Sequence, residues 1–208
     1  MFITLEGTEG VGKTTLINKL KAYYEAAGKE VVLSREPGGT PLAEQIRGLL
    51  ISHRDEMVHP ETELLLFFAA RKQNITVNIL PALARNCMFF NDRFVDSSFA
   101  YQQAARGLQI EKFKVLVEHF VDVMPDLTLW LDAPVEVGMS RAKKRAELDR
   151  FEVEKAEFFT RVRQGFADLH QQYPERIVRI DASQNEDEVF KAAIRAITDK
   201  AALLAQAP

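Results

Sequence analysis

The 208 residues suit one domain with a substantial core, and a content of 47% hydrophobic and 27% charged residues is ordinary for a globular chain. A net charge of −3 gives no electrostatic reason to expect nucleic acid or membrane binding, and the single cysteine, Cys87, excludes a disulfide framework within the chain. No stretch approaches the ~20 apolar residues of a membrane span. In chain order, Met1-Phe2-Ile3 runs into a strand over 2–6 with no basic leader, which together with the lone thiol points to the cytoplasm. Further strands are expected over 30–34, 87–91, 127–131 and 176–180. Helical patterns cover 13–27, 41–52, 61–84, 97–106, 110–123, 134–146, 152–172 and 186–204. Gly28 reads as a helix stop, and Pro41, Pro60 and Pro134 stand at helix starts, where a missing N–H costs nothing. Pro81 falls inside the long third helix and should kink or shorten it. Cys87 lies in an apolar run and reads as a small core residue. Such alternation implies a mostly parallel sheet covered by helices on both faces, and no linker divides the chain, so residues 1–208 form a single domain.

The most informative run is Gly7-Thr8-Glu9-Gly10-Val11-Gly12-Lys13-Thr14, directly behind the first strand and ahead of the first helix. It fits the phosphate-binding pattern G-x-x-x-x-G-K-[ST] in the context that pattern requires. Glycines let the backbone curl so that successive N–H groups face a phosphate, and the helix adds its positive end. Lys13 can reach the β- and γ-phosphates, and the Thr14 hydroxyl can ligate Mg²⁺. In parallel sheets ligands bind beyond the carboxyl ends of the strands. Here every predicted strand runs into charge at that edge, at Glu6-Gly7, Arg35-Glu36, Asp92-Arg93, Asp132 and Asp181, which points to a polar cleft.

A phosphate loop fixes a nucleotide and not a reaction. The N-K-x-D and D-x-x-G elements of guanine-nucleotide switches are missing, since Asn18-Lys19 lies in the first helix and lacks the aspartate. An acceptor site is therefore sought. Asp92 can bind a metal directly or through water while Arg93 beside it clamps a phosphate. Phe67 and Arg71, four apart on a helix, offer an aromatic plate and a cation on one face, although Phe67 and Phe68 among leucines also read as plain core. Ser98 and Gln102, again four apart with Tyr101 nearby, offer a hydroxyl and an amide to a base edge, but such residues are common on exposed helices. The basic run from Arg141 to Arg145 reads either as a solvated helix face or as the source of a transition-state arginine, because Thr8 to Val11 include no basic residue.

Taken together, these blocks resemble the bacterial thymidylate kinases over nearly the whole chain. The resemblance rests on Leu5 to Thr15, on Arg35-Glu36-Pro37-Gly38-Gly39-Thr40 and on Phe67-Phe68-Ala69-Ala70-Arg71. Asp92-Arg93-Phe94, Ser98 to Gln102 and Glu147-Leu148-Asp149-Arg150-Phe151-Glu152 complete it. It implies an α/β P-loop kinase fold with a five-stranded parallel sheet and a short basic lid at about 141–152. It also implies a homodimer that transfers the γ-phosphoryl of ATP to dTMP with Mg²⁺, giving dTDP for dTTP synthesis. On this resemblance Gly7, Thr8, Glu9, Gly10, Val11, Gly12, Lys13, Thr14 and Thr15 bind ATP, with Arg141 against adenine. Phe67 stacks on thymine, Arg71, Ser98 and Gln102 meet the base edge, and Tyr101 opposes a 2′-hydroxyl. Arg93 holds the dTMP phosphate, helped by Arg47 and by Glu36 through metal or water. Lys13, Arg93 and Arg145 are the catalytic set, and Thr14 and Asp92 the metal set. Three stretches depart from the family pattern: Lys72-Gln73-Asn74 after Arg71, Gln102 to Gly107, and Ala146 after the lid arginine.

Overall fold

The computed structural model of the chain describes residues 1–143, 151 and 154–206. Five strands, β1 (Phe2–Glu6), β2 (Val31–Arg35), β3 (Met88–Asp92), β4 (Leu127–Asp132) and β5 (Ile177–Asp181), form one sheet in the order β2-β3-β1-β4-β5. Every pairing is parallel. Strand alternation sends neighbouring side chains to opposite faces, and both faces are apolar, as a covered parallel sheet requires. Ile3, Leu5, Phe90 and Leu129 pack with Leu16 and Leu20 of α1 (Lys13–Ala26) and Ala193 and Ile197 of α9 (Glu186–Gln206). Phe2 and Phe89 face the other way, onto Leu64 and Phe68 of α3 (Pro60–Asn74) and Phe113 of α6 (Ile110–Phe120). Trp130 and Ile177 pack there against Phe158, Val162 and Phe166 of α8 (Ala156–Gln172).

Three of the strands sit one residue later than the sequence patterns suggest, and all five end on a charged residue. The ladder runs on past the last apolar side chain: Arg35 pairs with Asp92 and Asp132 with Asp181. Pro60 opens α3, Pro41 opens α2 (Pro41–Ile51), and Pro134 stands just ahead of α7 (Val135–Lys143), its carbonyl accepting from Val137 and Gly138. Gly28, at φ +75°, closes α1 with its N–H on the Glu25 carbonyl. Cys87 is fully buried in the core.

The expected helix over 61–84 is three pieces, α3, a π-helical turn at Ile75–Ile79 and α4 (Leu80–Ala84). The widened turn precedes Pro81, which has no N–H to give to a regular ladder. The helix expected over 97–106 is α5 (Val95–Ser98) followed by a second π-helical segment, Phe99–Ala105, which carries Tyr101 and Gln102. α6 stops at Phe120 rather than 123, because Val121-Asp122-Val123 leads into Pro125 and favours extended backbone. The helix expected over 134–146 is seen to Lys143, and the one expected from 152 is described from Ala156. Residues 144–146, 152 and most of the lid at 141–152, with Arg145 and Ala146, lie outside the described residues.

Candidate active site

After β1 the chain turns through Gly7 (φ +136°), Gly10 (φ +73°) and Gly12 (φ +97°), a backbone that side chains with a Cβ rarely adopt. Gly10 also meets Gly138 of α7 backbone to backbone, so closely that a Cβ there would collide with the Gly138 carbonyl. This loop opens α1 and forms one end of a cavity of about 960 Å³. Glu9, Gly10, Val11, Gly12, Lys13, Thr14 and Thr15 line it, while Gly7 and Thr8 stand behind the wall and contribute carbonyls. Lys13 Nζ donates to Gly7 O at 3.1 Å and Thr8 O at 2.8 Å. Burial first, and then the charge of Arg93, lower its pKa to about 8.

The β3 edge supplies Asp92 and Arg93. Arg93 sits at φ +69° and is pinned in that conformation: Asn91 Nδ2 donates to its carbonyl at 2.7 Å, and Phe94 N donates to Glu6 Oε1 at 2.7 Å. Its guanidinium donates to Gly7 O (2.9 Å), Ser97 Oγ (3.1 Å) and Glu9 Oε1 (2.8 Å) and lies over the Tyr101 ring. Burial works against that charge, yet Tyr101, Glu9 and Asp92 hold it above the ordinary arginine value. Tyr101 Oη donates to the Glu9 carboxylate at 2.8 Å, and burial raises its own pKa well above 10. Glu6, fully buried, takes the Ser97 hydroxyl at 2.5 Å; burial and then Asp96 push its pKa up to about 8.

The far wall is built by α2, α3 and the second π-helical segment. Glu63, Phe67, Arg71 and Asn74 follow one another on α3 at spacings of four, four and three, one helical face turned toward the cavity. Arg71 is 1% exposed and donates Nε to Glu36 Oε2 (2.8 Å) and Nη2 to Phe94 O (3.0 Å) and Ser98 Oγ (3.1 Å). Among the described residues its Nη1 is buried without a hydrogen-bond partner, as is Asp92 Oδ1. Burial raises the Glu36 pKa despite Arg71 and Asn74, whose Nδ2 donates to Glu36 Oε1 at 3.1 Å. Gln102 Nε2 donates to Glu63 Oε1 at 3.0 Å. Phe67 lines the cavity and meets Phe151 edge to face at 5.9 Å. Arg47 is on the same wall, with Nη1 on Pro37 O. At the opposite end Arg141 donates to Ala182 O at 3.1 Å, among Gln184, Asn185 and Val189.

The structure thus brings together Lys13, Thr14, Glu36, Arg47, Phe67, Arg71, Asp92, Arg93, Ser98, Tyr101, Gln102 and Arg141 around one cavity. Three charged strand ends from the sequence pattern take no part in its wall: Glu6, buried behind it, and Asp132 and Asp181. Asp132 is clamped by Arg163 and Arg179, and Asp181 is tied to Ser183 and Gln184, which lower its pKa to about 2. Both ends are absorbed in holding loops and helices together. Glu63, Asn74, Asn91 and Ser97 were not singled out for the site from the sequence and Glu6 only as a charged strand end, although the helical spacing of Glu63 and Asn74 from Phe67 and Arg71 is a legible signal. A hard divalent cation suits the oxygen donors on the loop side, where Asp92 Oδ1 is buried and unpaired and the Thr14 side chain shares the cavity.

A phosphate loop between β1 and α1 of a 2-3-1-4-5 parallel sheet defines a P-loop nucleotide-binding protein. A family model described as thymidylate kinase matches residues 5–193. A thymidylate kinase of Acinetobacter baylyi is 59% identical over 198 residues, covering 95% of this chain and 98% of that protein. One from Pseudomonas fluorescens is 54% identical, covering 88% of each. The crystal structure of thymidylate kinase from Ehrlichia chaffeensis superposes with a TM-score of 0.78 at 32% identity, covering 95% of this chain and 98% of that one. The chain belongs to the thymidylate kinase family.

Proposed function

We propose that this protein transfers the γ-phosphoryl group of ATP to dTMP, giving ADP and dTDP, in the cytoplasm and as a homodimer. The observation that carries the reading is the continuity of one cavity from the phosphate loop to the wall of Phe67, Arg71, Ser98 and Gln102. A donor triphosphate at the loop and a monophosphate on that wall would meet in the middle, at Arg93 and Asp92. Lys13 and the loop N–H groups hold the donor phosphates, with Arg141 along the base. Arg93 and Arg47 hold the acceptor phosphate, and Arg145 serves as the transition-state arginine. Thr14 and Asp92 would hold Mg²⁺, which when bound neutralises charge on the phosphates.

The acceptor base is read by fixed polarity. Arg71 lines the cavity and its Nη1, without a partner among the described residues, is a donor left for the base, and Phe67 gives a ring face. Ser98 Oγ accepts from Arg71 and so keeps its own hydrogen for a base acceptor. Tyr101, held on Glu9, would close the space beside the sugar against a 2′-hydroxyl. The apolar side chains exposed on the neighbouring helices α2 and α3, Leu42, Leu49 and Leu65, support a face shared with a second copy. The test is a panel of nucleoside monophosphates with ATP and Mg²⁺, products identified by mass. Preferred formation of dTDP is expected, with dUMP poorer by a factor of about 3–10 for the lost methyl burial. Equal use of dTMP, dCMP and dGMP would refute the reading.

A further inference from the structure

Glu63 does not itself line the cavity, yet its carboxylate is 1% exposed and its Oε1 receives two donors, Gln102 Nε2 and Arg106 Nε, both at 3.0 Å. Arg106 in turn reaches Glu154 with Nη2 at 3.0 Å and lies over the Phe158 ring. A carboxylate paired with a guanidinium only accepts hydrogen bonds, so the NH₂ end of the Gln102 amide is the end that can face it. The amide oxygen is thereby turned away from Glu63, and among the described residues no donor takes it up. Gln102 lines the same wall as Arg71 and Ser98.

We infer that Glu63 is a specificity-determining positioning residue: by holding the Gln102 nitrogen it presents the Gln102 oxygen to the acceptor base, and so fixes which pyrimidine the pocket accepts. The inference rests on the reading of Gln102 as a contact to the base edge. Thymine offers an N–H at ring position 3 and an oxygen at position 4. Cytosine offers a lone pair and an amino group at the same positions. An amide free to turn about its last torsion would serve either base, since its two ends are nearly the same shape. An amide held by Glu63 meets cytosine with acceptor against acceptor, just as the buried Arg71 guanidinium meets it with donor against donor.

The experiment measures kcat/KM for dTMP and for dCMP with saturating ATP and Mg²⁺. Glu63→Leu keeps the approximate volume but removes the Oε1 that Gln102 and Arg106 share, and so releases the Gln102 amide while Arg106 keeps Glu154. The dTMP-to-dCMP ratio is expected to fall about tenfold or more, the usual cost of one unmatched buried polar group. A second variant guards against misfolding: Glu63→Met with Arg106→Met replaces the pair by apolar side chains of similar volume, a change buried pairs often tolerate. It should lower the ratio equally, whereas Arg106→Met alone should leave it in place. Gln102→Leu supplies the reference. If Gln102→Leu collapses the ratio and neither Glu63 variant does, Glu63 does not set the amide and the inference is overturned. If Gln102→Leu itself leaves the ratio unchanged, the base-edge reading fails and takes the inference with it. Equal losses on both nucleotides in the Glu63 variants, with the ratio intact, would make Glu63 a packing residue only.

Discussion

Replacing Arg71 by lysine isolates geometry from charge. The guanidinium serves Glu36 behind β2 and the Phe94 carbonyl and Ser98 at the two ends of α5 at once, and still has Nη1 without a partner among the described residues. A lysine ammonium is a point donor and can keep Glu36 company but cannot span the other two. Hydrogen bonds from a charged donor are worth about 1.5–3 kcal/mol each, so losing two of them in Arg71→Lys should cost about 3–6 kcal/mol of stability. For a chain of this size that is a fall in Tm of roughly 6–24 °C, read by calorimetry. The dTMP side should suffer more than the ATP side, because the lost donor faces the acceptor base. We expect KM for dTMP to rise at least about tenfold, with KM for ATP nearly unchanged. Arg71→Ala adds a pH signature. The Glu36 carboxyl already lies above its ordinary value of 4.5 by burial, and Arg71 is the largest influence opposing that rise. Without it the folded-state pKa climbs further, so the folded protein holds that proton more tightly than the unfolded chain does. The penalty of Arg71→Ala is therefore smallest below pH 4.5 and grows as pH rises through neutrality. A variant with wild-type Tm and dTMP KM, or a penalty independent of pH, would refute this account of the buried pair.

Asp92→Asn should leave the fold intact and raise the Mg²⁺ concentration needed for half-maximal rate; an unchanged Mg²⁺ titration at normal activity removes Asp92 from the metal site. With the Lys13 pKa at about 8, below its ordinary 10.5, the folded protein gives up that proton first, so stability rises with pH between those values while affinity for ATP phosphates falls. KM for ATP should climb by up to roughly tenfold per pH unit above about 8, and a Lys13→Arg variant, charged throughout, should show no such slope. Arg145→Ala should lower kcat roughly 10²–10³-fold with little change in KM for dTMP; a loss confined to KM would pass the role to another arginine, with Arg150 next in line.

The alternation of apolar runs made the architecture legible, because a parallel sheet buried on both faces needs continuous hydrophobic strands separated by helices. What the runs did not reveal is where backbone regularity gives way. The π-helical turns at Ile75–Ile79 and Phe99–Ala105 arise from tertiary demands that no periodicity records, and the second of them sets the phase of the wall that holds Tyr101 and Gln102. The phosphate loop, Asp92-Arg93 and the Phe67–Arg71 pair were legible because their spacing carries their chemistry. Glu6 was legible only as a charged strand end and Ser97 not at all, and each acquires its role only when β1 and α5 bring it beneath Arg93.

The site divides into groups that exchange partners on binding and groups already aimed. Lys13, Arg93 and Arg141 each rest on protein oxygens, two of those on the same Gly7 carbonyl. A phosphate ligand must win these cations from carbonyls and from Glu9, which makes their engagement depend on the charge a triphosphate or monophosphate brings. Leaving such a cation buried and unpaired would cost far more than lending it to the backbone. Arg71 and Asp92 follow another logic. The Arg71 charge is already met by Glu36, so leaving Nη1 idle forfeits one hydrogen bond and not a salt bridge. A donor held in that way keeps its direction before any base arrives, and direction is what separates one pyrimidine from another. On the proposed assignment of the site, discrimination among acceptors therefore belongs to the rigid wall on α3 and the second π-helical segment, and commitment to phosphoryl transfer to the cations that must change hands.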